Sequence, residues 1–161
     1  MSQEQGKKPA ESTYTLCKVM LPMDANLAGN VFGGAILKLI EETAWIVGLR
    51  HARTNVATVS IERMDFLSPI KVGDMLRMEA MVNHVHHSSM EIGIRVEAEN
   101  SYTGETRHTG TCYLTYVALD KNGKPTPVPP LILETEDEQR RWNEAEQRRL
   151  ERLKEAGKTA T

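Results

Sequence analysis

Long apolar runs are missing from this chain. Its longest uncharged stretch, Ala25 to Leu37, holds two Asn and three Gly and falls well short of the roughly 20 apolar residues a membrane helix needs. One-sided charge is missing too: 20 Lys plus Arg stand against 22 Asp plus Glu. No basic excess is available to grip a phosphate backbone, so nucleic acid is not expected as the main partner. Cysteine is scarce. Cys17 and Cys112 lie in apolar, strand-like surroundings and make no CxxC pair, which fits reduced thiols better than a disulfide framework. The first ten residues, MSQEQGKKPA, carry no apolar run behind their lysines. The secretory pattern is therefore absent, and a cytoplasmic location is expected.

What is present fits one domain with one core: 161 residues, 40% of them apolar. Met90, Ile92, Ile94, Val96 and Ala98 alternate with Glu91, Gly93, Arg95, Glu97 and Glu99, the period of a strand buried on one face, with the other face left to solvent or a partner. Leu76, Met78, Ala80 and Val82 repeat the pattern. The turn Tyr102-Thr103-Gly104-Glu105 precedes a further strand over Thr106 to Val117, so these three form an antiparallel meander. Thr13 to Met20 and Val56 to Phe66 add two strands, the second closed by Ser68-Pro69 and the turn at Val72-Gly73-Asp74. After the meander, four prolines in KNGKPTPVPPL specify an extended connector. Residues 134–161 hold 15 of the 42 charged residues. Acids lead and bases trail, which predicts one exposed helix with a solvated charged face.

One long apolar segment, VFGGAILKLIEETAWIVGLRHA, breaks the strand period and predicts a deeply buried helix. Its unpaired leading N–H groups favour negative charge. Gly33 and Gly34 would let a carbonyl approach them, as an oxyanion site in acyl transfer requires. The same pair would equally serve a tight passage from loop to helix. Counting about 100° per residue from Ile36, Glu42 falls with Lys38 on the polar stripe, an ordinary surface pair. Glu41 falls at about 140°, at the edge of the apolar arc beside Gly48. Partial desolvation there would raise its pKa and poise it as a base, so it is the better catalytic candidate. Trp45, near 180°, points away from the core and suits a subunit contact.

Other constellations carry less. Strand alternation sends His84 and His86 to one side and His87 to the other, and no nearby carboxylate or thiolate completes a set, so no metal site is expected. Ser88 and Ser89 stand beside histidines but outside any GxSxG elbow, which argues against a serine hydrolase. Arg50, His51 and Arg53 suit the helix's negative end and are equally placed to meet phosphates.

Taken in order and spacing, DANLAGNVFGGAILKLIEETAWIVGLRHA, VATVSIERMDFLSPIKVGD, HHSSMEIGIRVEAEN and TCYLTYVALDKNGKPTPVPPL resemble the hotdog-fold acyl-CoA thioesterases of the cytosolic acyl-CoA hydrolase group. The resemblance spans roughly residues 13–133. It implies an α+β hotdog fold, a long central helix wrapped by a five-stranded antiparallel sheet, here with an added C-terminal helix. It also implies a dimer that extends the sheet and commonly assembles further into hexamers, as a trimer of dimers. An Asn at Asn30 and a carboxylate at Glu41, usually an Asp, would act across the dimer interface. The longer Glu here keeps Glu42 as a lesser candidate. Segments matching Val59-Ser60-Ile61 and Ser88-Ser89-Met90 would contact coenzyme A, with Arg50 a candidate for its phosphates.

The expected organisation is a flexible N-terminus over 1–12, a hotdog domain over 13–120, a proline-rich connector over 121–133 and a charged helix over 134–161. The expected activity is hydrolysis of fatty acyl-CoA to free acid and coenzyme A, with no cofactor. Backbone N–H at Gly34 would hold the thioester carbonyl while Glu41 activates a water that Asn30 orients; direct attack by Glu41 is the rival route. Two other functions fit the same fold: a thioesterase acting on acyl carrier protein, and a non-catalytic acyl-CoA sensor.

Overall fold

The computed structural model describes residues 5–157. Its elements are β1 (Tyr14–Val19), α1 (Gly33–Ala52), β2 (Asn55–Ile61), β3 (Met75–His86), β4 (Ser89–Glu99), β5 (Thr106–Leu119) and α2 (Glu136–Glu155). The strands make one antiparallel sheet in the order β1-β3-β4-β5-β2. The meander is β3-β4-β5. Its tight turns pass through His87 and Gly104, both at positive φ.

The alternating residues of β4 are buried as their period requires: Met90, Ile92, Ile94, Val96 and Ala98 face inward. Helix α1 lies in the curl of the sheet and touches all five strands. Ile36, Ile40, Ala44 and Val47 are its buried stripe. Each large side chain buried there contributes roughly 1.5–3 kcal/mol. The stripe is narrower than expected, because Leu37, Leu39 and Ile46 are only half-buried, while Trp45 is exposed as its place on the wheel predicts.

Two further expectations need correction. β2 ends at Ile61 rather than Phe66. Beyond it two backbone bonds keep the chain beside β5, Glu62 N–H to Tyr113 O and Leu67 N–H to Thr109 O. It arches over Gly110, where any Cβ would strike the Met64 methyl. The second concerns α2, which is not a free solvated helix.

Capped by a reciprocal Thr135–Glu138 box, α2 covers the outer face of the sheet. Arg148 clamps Glu91 with two bonds, 3.0 and 2.8 Å, and lies 3.7 Å above the Tyr113 ring. His84 Nε2 sits 3.0 Å from Glu146, and its ring packs against Trp142. Arg152 reaches Glu62 at 2.7 Å. The alternating charges therefore pair with the sheet as well as with one another. This is why Asn83, His84 and Glu91, on the outer face, are buried.

The N-terminal segment, expected to be flexible through residue 12, is folded in its described part. Lys7 pairs with Leu131 of the connector, and its ammonium donates to the carbonyls of Arg50 and His51 at the end of α1. His51, fully buried, bridges Ser12 and the Pro129 carbonyl. Burial pushes its pKa below the ordinary 6.5. Residues 1–4 and 158–161, at the outer ends of the expected terminal segments, lie outside the described residues. Both cysteines are free; Cys17 is exposed, and burial pushes Cys112 up to about 11. No helix among the described residues is long and apolar enough to cross a membrane.

Candidate active site

The loop before α1 is built around Asn26. Its side-chain oxygen accepts from the N–H groups of Ala28 and Asn30, at 2.9 and 3.3 Å. Its backbone N–H donates to the Asn30 carbonyl, and Gly29, at φ 80, closes the turn. Among the described residues the Asn26 amide nitrogen has no acceptor. This local ring delivers Phe32 as the first residue of the helix turn. The Phe32 carbonyl accepts from Ala35 and Ile36, which leaves the N–H groups of Gly33 and Gly34 unclaimed among the described residues.

The two glycines differ in surroundings. A Cβ on Gly33 would press the Phe66 ring at 3.3 Å, whereas a Cβ on Gly34 would meet nothing within 4 Å. Gly33 is thus a packing glycine. Gly34 opens onto space a carbonyl can enter.

Two turns further along α1, Glu41 is exposed on this chain and receives a 2.7 Å bond from the Thr58 hydroxyl. It lines a hollow with Lys38, Trp45 and Val56. The desolvation expected at Glu41 is therefore not found within the single chain. Glu42 lines the same hollow and pairs with Lys38 at 3.7 Å, as the helical wheel expected.

Asn30 lies elsewhere. It lines a separate hollow with Gly33, Phe66 and Ile70, so one chain does not bring Asn30 and Glu41 together. Around Glu41 the edge strand β2 carries an irregularity at Val59, which is exposed, as is Ile61. The Ser60 hydroxyl donates to Glu62. Ser88 and Ser89 are half-exposed at the start of β4, but the Met90 side chain is sealed in the core and offers only its backbone to a ligand. Arg50 is engaged at the start of β1 rather than with the carbonyls that end its own helix. Its guanidinium donates to the Thr13 carbonyl at 2.9 Å and lies over the Tyr14 ring.

Thr58 and Asn26 were not singled out from sequence. Thr58 had no local signal, because its partner is 17 residues away on another element. Asn26 had one, an Asn three residues before a Gly, but that pattern reads as an ordinary turn. His84, His86 and His87 gather no shared ligand set. Among the described residues no group of three or more His, Cys, Asp or Glu is placed to hold a metal ion.

Residues 28–105 match the thioesterase superfamily. The chain is 41% identical over 142 residues to an uncharacterised acyl-CoA thioester hydrolase of Bacillus subtilis, covering 88% of this chain and 83% of that one. It is 35% identical to the cytosolic acyl coenzyme A thioester hydrolase of the rat, over 87% of this chain but only 37% of the relative's length. Among solved structures, an apo-hexameric acyl-CoA thioesterase superposes with a TM-score of 0.91 at 39% identity, over 94% of this chain and 97% of that one.

An acyl-CoA hydrolase from Staphylococcus aureus, in complex with butyryl coenzyme A and coenzyme A, gives 0.86 at 35% identity over 94% of each chain. Alanine variants of that hydrolase at an aspartate, an asparagine and a threonine are also known. The asparagine precedes the aspartate by 15 positions and the threonine follows it by 17. Asn26, Glu41 and Thr58 stand at those same intervals here. By sequence, fold and the layout of this site, the chain belongs to the thioesterase superfamily, among its hotdog-fold acyl-CoA hydrolases.

Proposed function

We propose that this protein hydrolyses acyl-CoA thioesters to a free acid and coenzyme A. The observation that carries this reading is the Glu41 carboxylate, held at 2.7 Å by Thr58 at the intervals of the residues replaced in the Staphylococcus aureus hydrolase. The thioester carbonyl is held by the Gly34 N–H at the positive end of α1, where negative charge develops in the transition state. Glu41 takes a proton from water as that water attacks, and the thiolate of coenzyme A departs. The reaction needs a base and an oxyanion donor, so no cofactor is assigned.

The asparagine of the site is Asn26, whose amide nitrogen is free to donate, with Asn30 the neighbouring candidate from the same loop. The loop that carries both reaches Glu41 from a second subunit, a reading supported by Asn30, which lines a hollow separate from that of Glu41. Coenzyme A lies along Val59-Ser60-Ile61 and the Ser88-Ser89 strand start, with the backbone of Met90. The assembly is a trimer of sheet-extended dimers. That arrangement is supported by the hexameric relative and by the exposed apolar side chains of Trp45, Val59, Ile61, Phe66 and Leu67. The cytoplasm is the proposed location, in keeping with the cytosolic rat relative.

Release of free thiol from short, medium and long acyl-CoAs tests the reading. Wild type turns over, and Glu41→Gln and Asn26→Ala each lose kcat by at least about 100-fold while remaining folded. Asn30→Ala, run beside them, decides between the two asparagines. Binding of acyl-CoA without turnover would leave the fold and replace the enzyme with a sensor.

A further inference from the structure

We propose that Tyr116 is a positioning residue that holds Glu41 in register for catalysis. The inference rests on Glu41 being the base, as argued above. Tyr116 lies on β5 directly opposite Thr58 on β2. It is fully buried and among the largest core side chains, and a phenol in that position must find a partner for its hydroxyl. Its hydroxyl donates to the backbone carbonyl of Glu41, at 3.2 Å.

That choice is unusual on helical grounds, because a mid-helix carbonyl already accepts from the N–H four residues on. Packing the ring needs no such bond. Thr58, on the facing rung, donates to the carboxylate of the same residue at 2.7 Å. One strand pair therefore grips Glu41 at both ends, its backbone through Tyr116 and its carboxylate through Thr58. The first contact fixes the height and rotation of α1 at residue 41; the second selects one arrangement of a long, flexible side chain. Burial raises the Tyr116 pKa above its ordinary 10, so the hydroxyl stays a donor through the working pH range.

Phenylalanine supplies the same ring without the donor, and the test compares Tyr116→Phe, Glu41→Gln and the double variant in the full-length, assembled protein. The substrate is the acyl-CoA that wild type hydrolyses fastest. Tyr116→Phe is expected to lower kcat by about 10- to 100-fold, the scale of a small misplacement of a catalytic group, and to move the acidic limb of the pH–rate profile. KM is expected to change by less than about twofold, since uniform binding is untouched. Added to Glu41→Gln, it is expected to lower the residual rate no further, because its effect runs through Glu41.

A wild-type kcat and pH profile in Tyr116→Phe, or an equal loss in the Glu41→Gln background, overturns the positioning role alone. A Glu41→Gln variant with wild-type turnover overturns the base assignment and this inference with it. Rates are read at a temperature where circular dichroism and gel filtration match wild type. Global replacement of the four tyrosines by 3-fluorotyrosine is the second measurement, since it keeps the ring and changes chiefly the hydroxyl's acidity. A shifted pH–rate profile is expected there as well, and an unshifted one counts against the role.

Discussion

Glu41 and the two glycines upstream of it put different demands on single atoms. A methyl on Gly34 meets no protein atom and improves helix propensity by up to about 1 kcal/mol, yet it stands where the acyl carbonyl approaches. Gly34→Ala is therefore expected to melt at or above the wild-type temperature while losing about 10- to 100-fold in kcat. Gly33→Ala, pressed on Phe66, is expected to show the opposite balance, with about 1 kcal/mol lost and a smaller kinetic effect. Thermal melts and thiol release on the two variants separate these outcomes. The cysteines behave as simply: with Cys112 buried and pushed up to about 11 and Cys17 exposed, one thiol per chain is expected to react with an alkylating agent at neutral pH. Mass spectrometry counts it, and two adducts on the folded protein would refute the assignment. At this scale the Lys38–Glu42 surface pair was legible, because helical spacing can be counted. Thr58 was not, because the bond that marks it joins two elements.

Among the elements, α2 departs furthest from its sequence pattern. Its alternating charges look self-sufficient, and several pairs do form along the helix, such as Arg140 with Glu144 at 2.9 Å. The decisive pair runs outward to the sheet. Glu91 is buried, and Arg148 is its two-bond partner. Arg148→Ala leaves that carboxylate only the Asn83 amide, at 3.2 Å, with no cation, and is expected to cost about 3 kcal/mol of stability. The double variant Arg148→Met with Glu91→Leu is expected to recover most of the loss, because an apolar pair no longer leaves a charge in the seam. Denaturant melts of the three variants test this; equal stability of Arg148→Ala and wild type would mean the helix is held elsewhere. The strands were legible from period two, since one face is core. What lay on the other face was not, because a solvated face and one covered by a charged helix are both written in polar residues.

For the whole molecule, the proposed site, with the asparagine from one subunit and Glu41 from another, makes assembly a condition of activity. Mixing Asn26→Ala with Glu41→Gln, each inactive alone, is expected to restore about a quarter of the wild-type sites after unfolding and co-assembly, since half the random dimers are mixed and each holds one intact pairing. No recovery would place both residues in one subunit's site.

The fold also carries a pH dependence. Burial depresses His51 and His84 below their ordinary 6.5, so the unfolded chain binds protons first as pH falls. Their contribution is full above about pH 6.5 and is lost as pH drops through the folded-state values. The melting temperature is expected to be level near pH 7–8 and to fall below about 6.5, less steeply in His84→Gln; a rise on acidification would refute it.

The sequence by itself determined the order of the elements, the core-facing side of the strands and of α1, and which residues to try as the base. Those follow from periodicity, turn residues and helix-end chemistry, all of which act over a few neighbours. Only the tertiary structure decided what covers the outer face of the sheet, which hydroxyls bond to Glu41 and that Glu41 and Asn30 line different hollows. The strand order sets Thr58 opposite Tyr116 and brings α2 over Glu91, and contacts between residues distant in the chain leave no period in it to be counted.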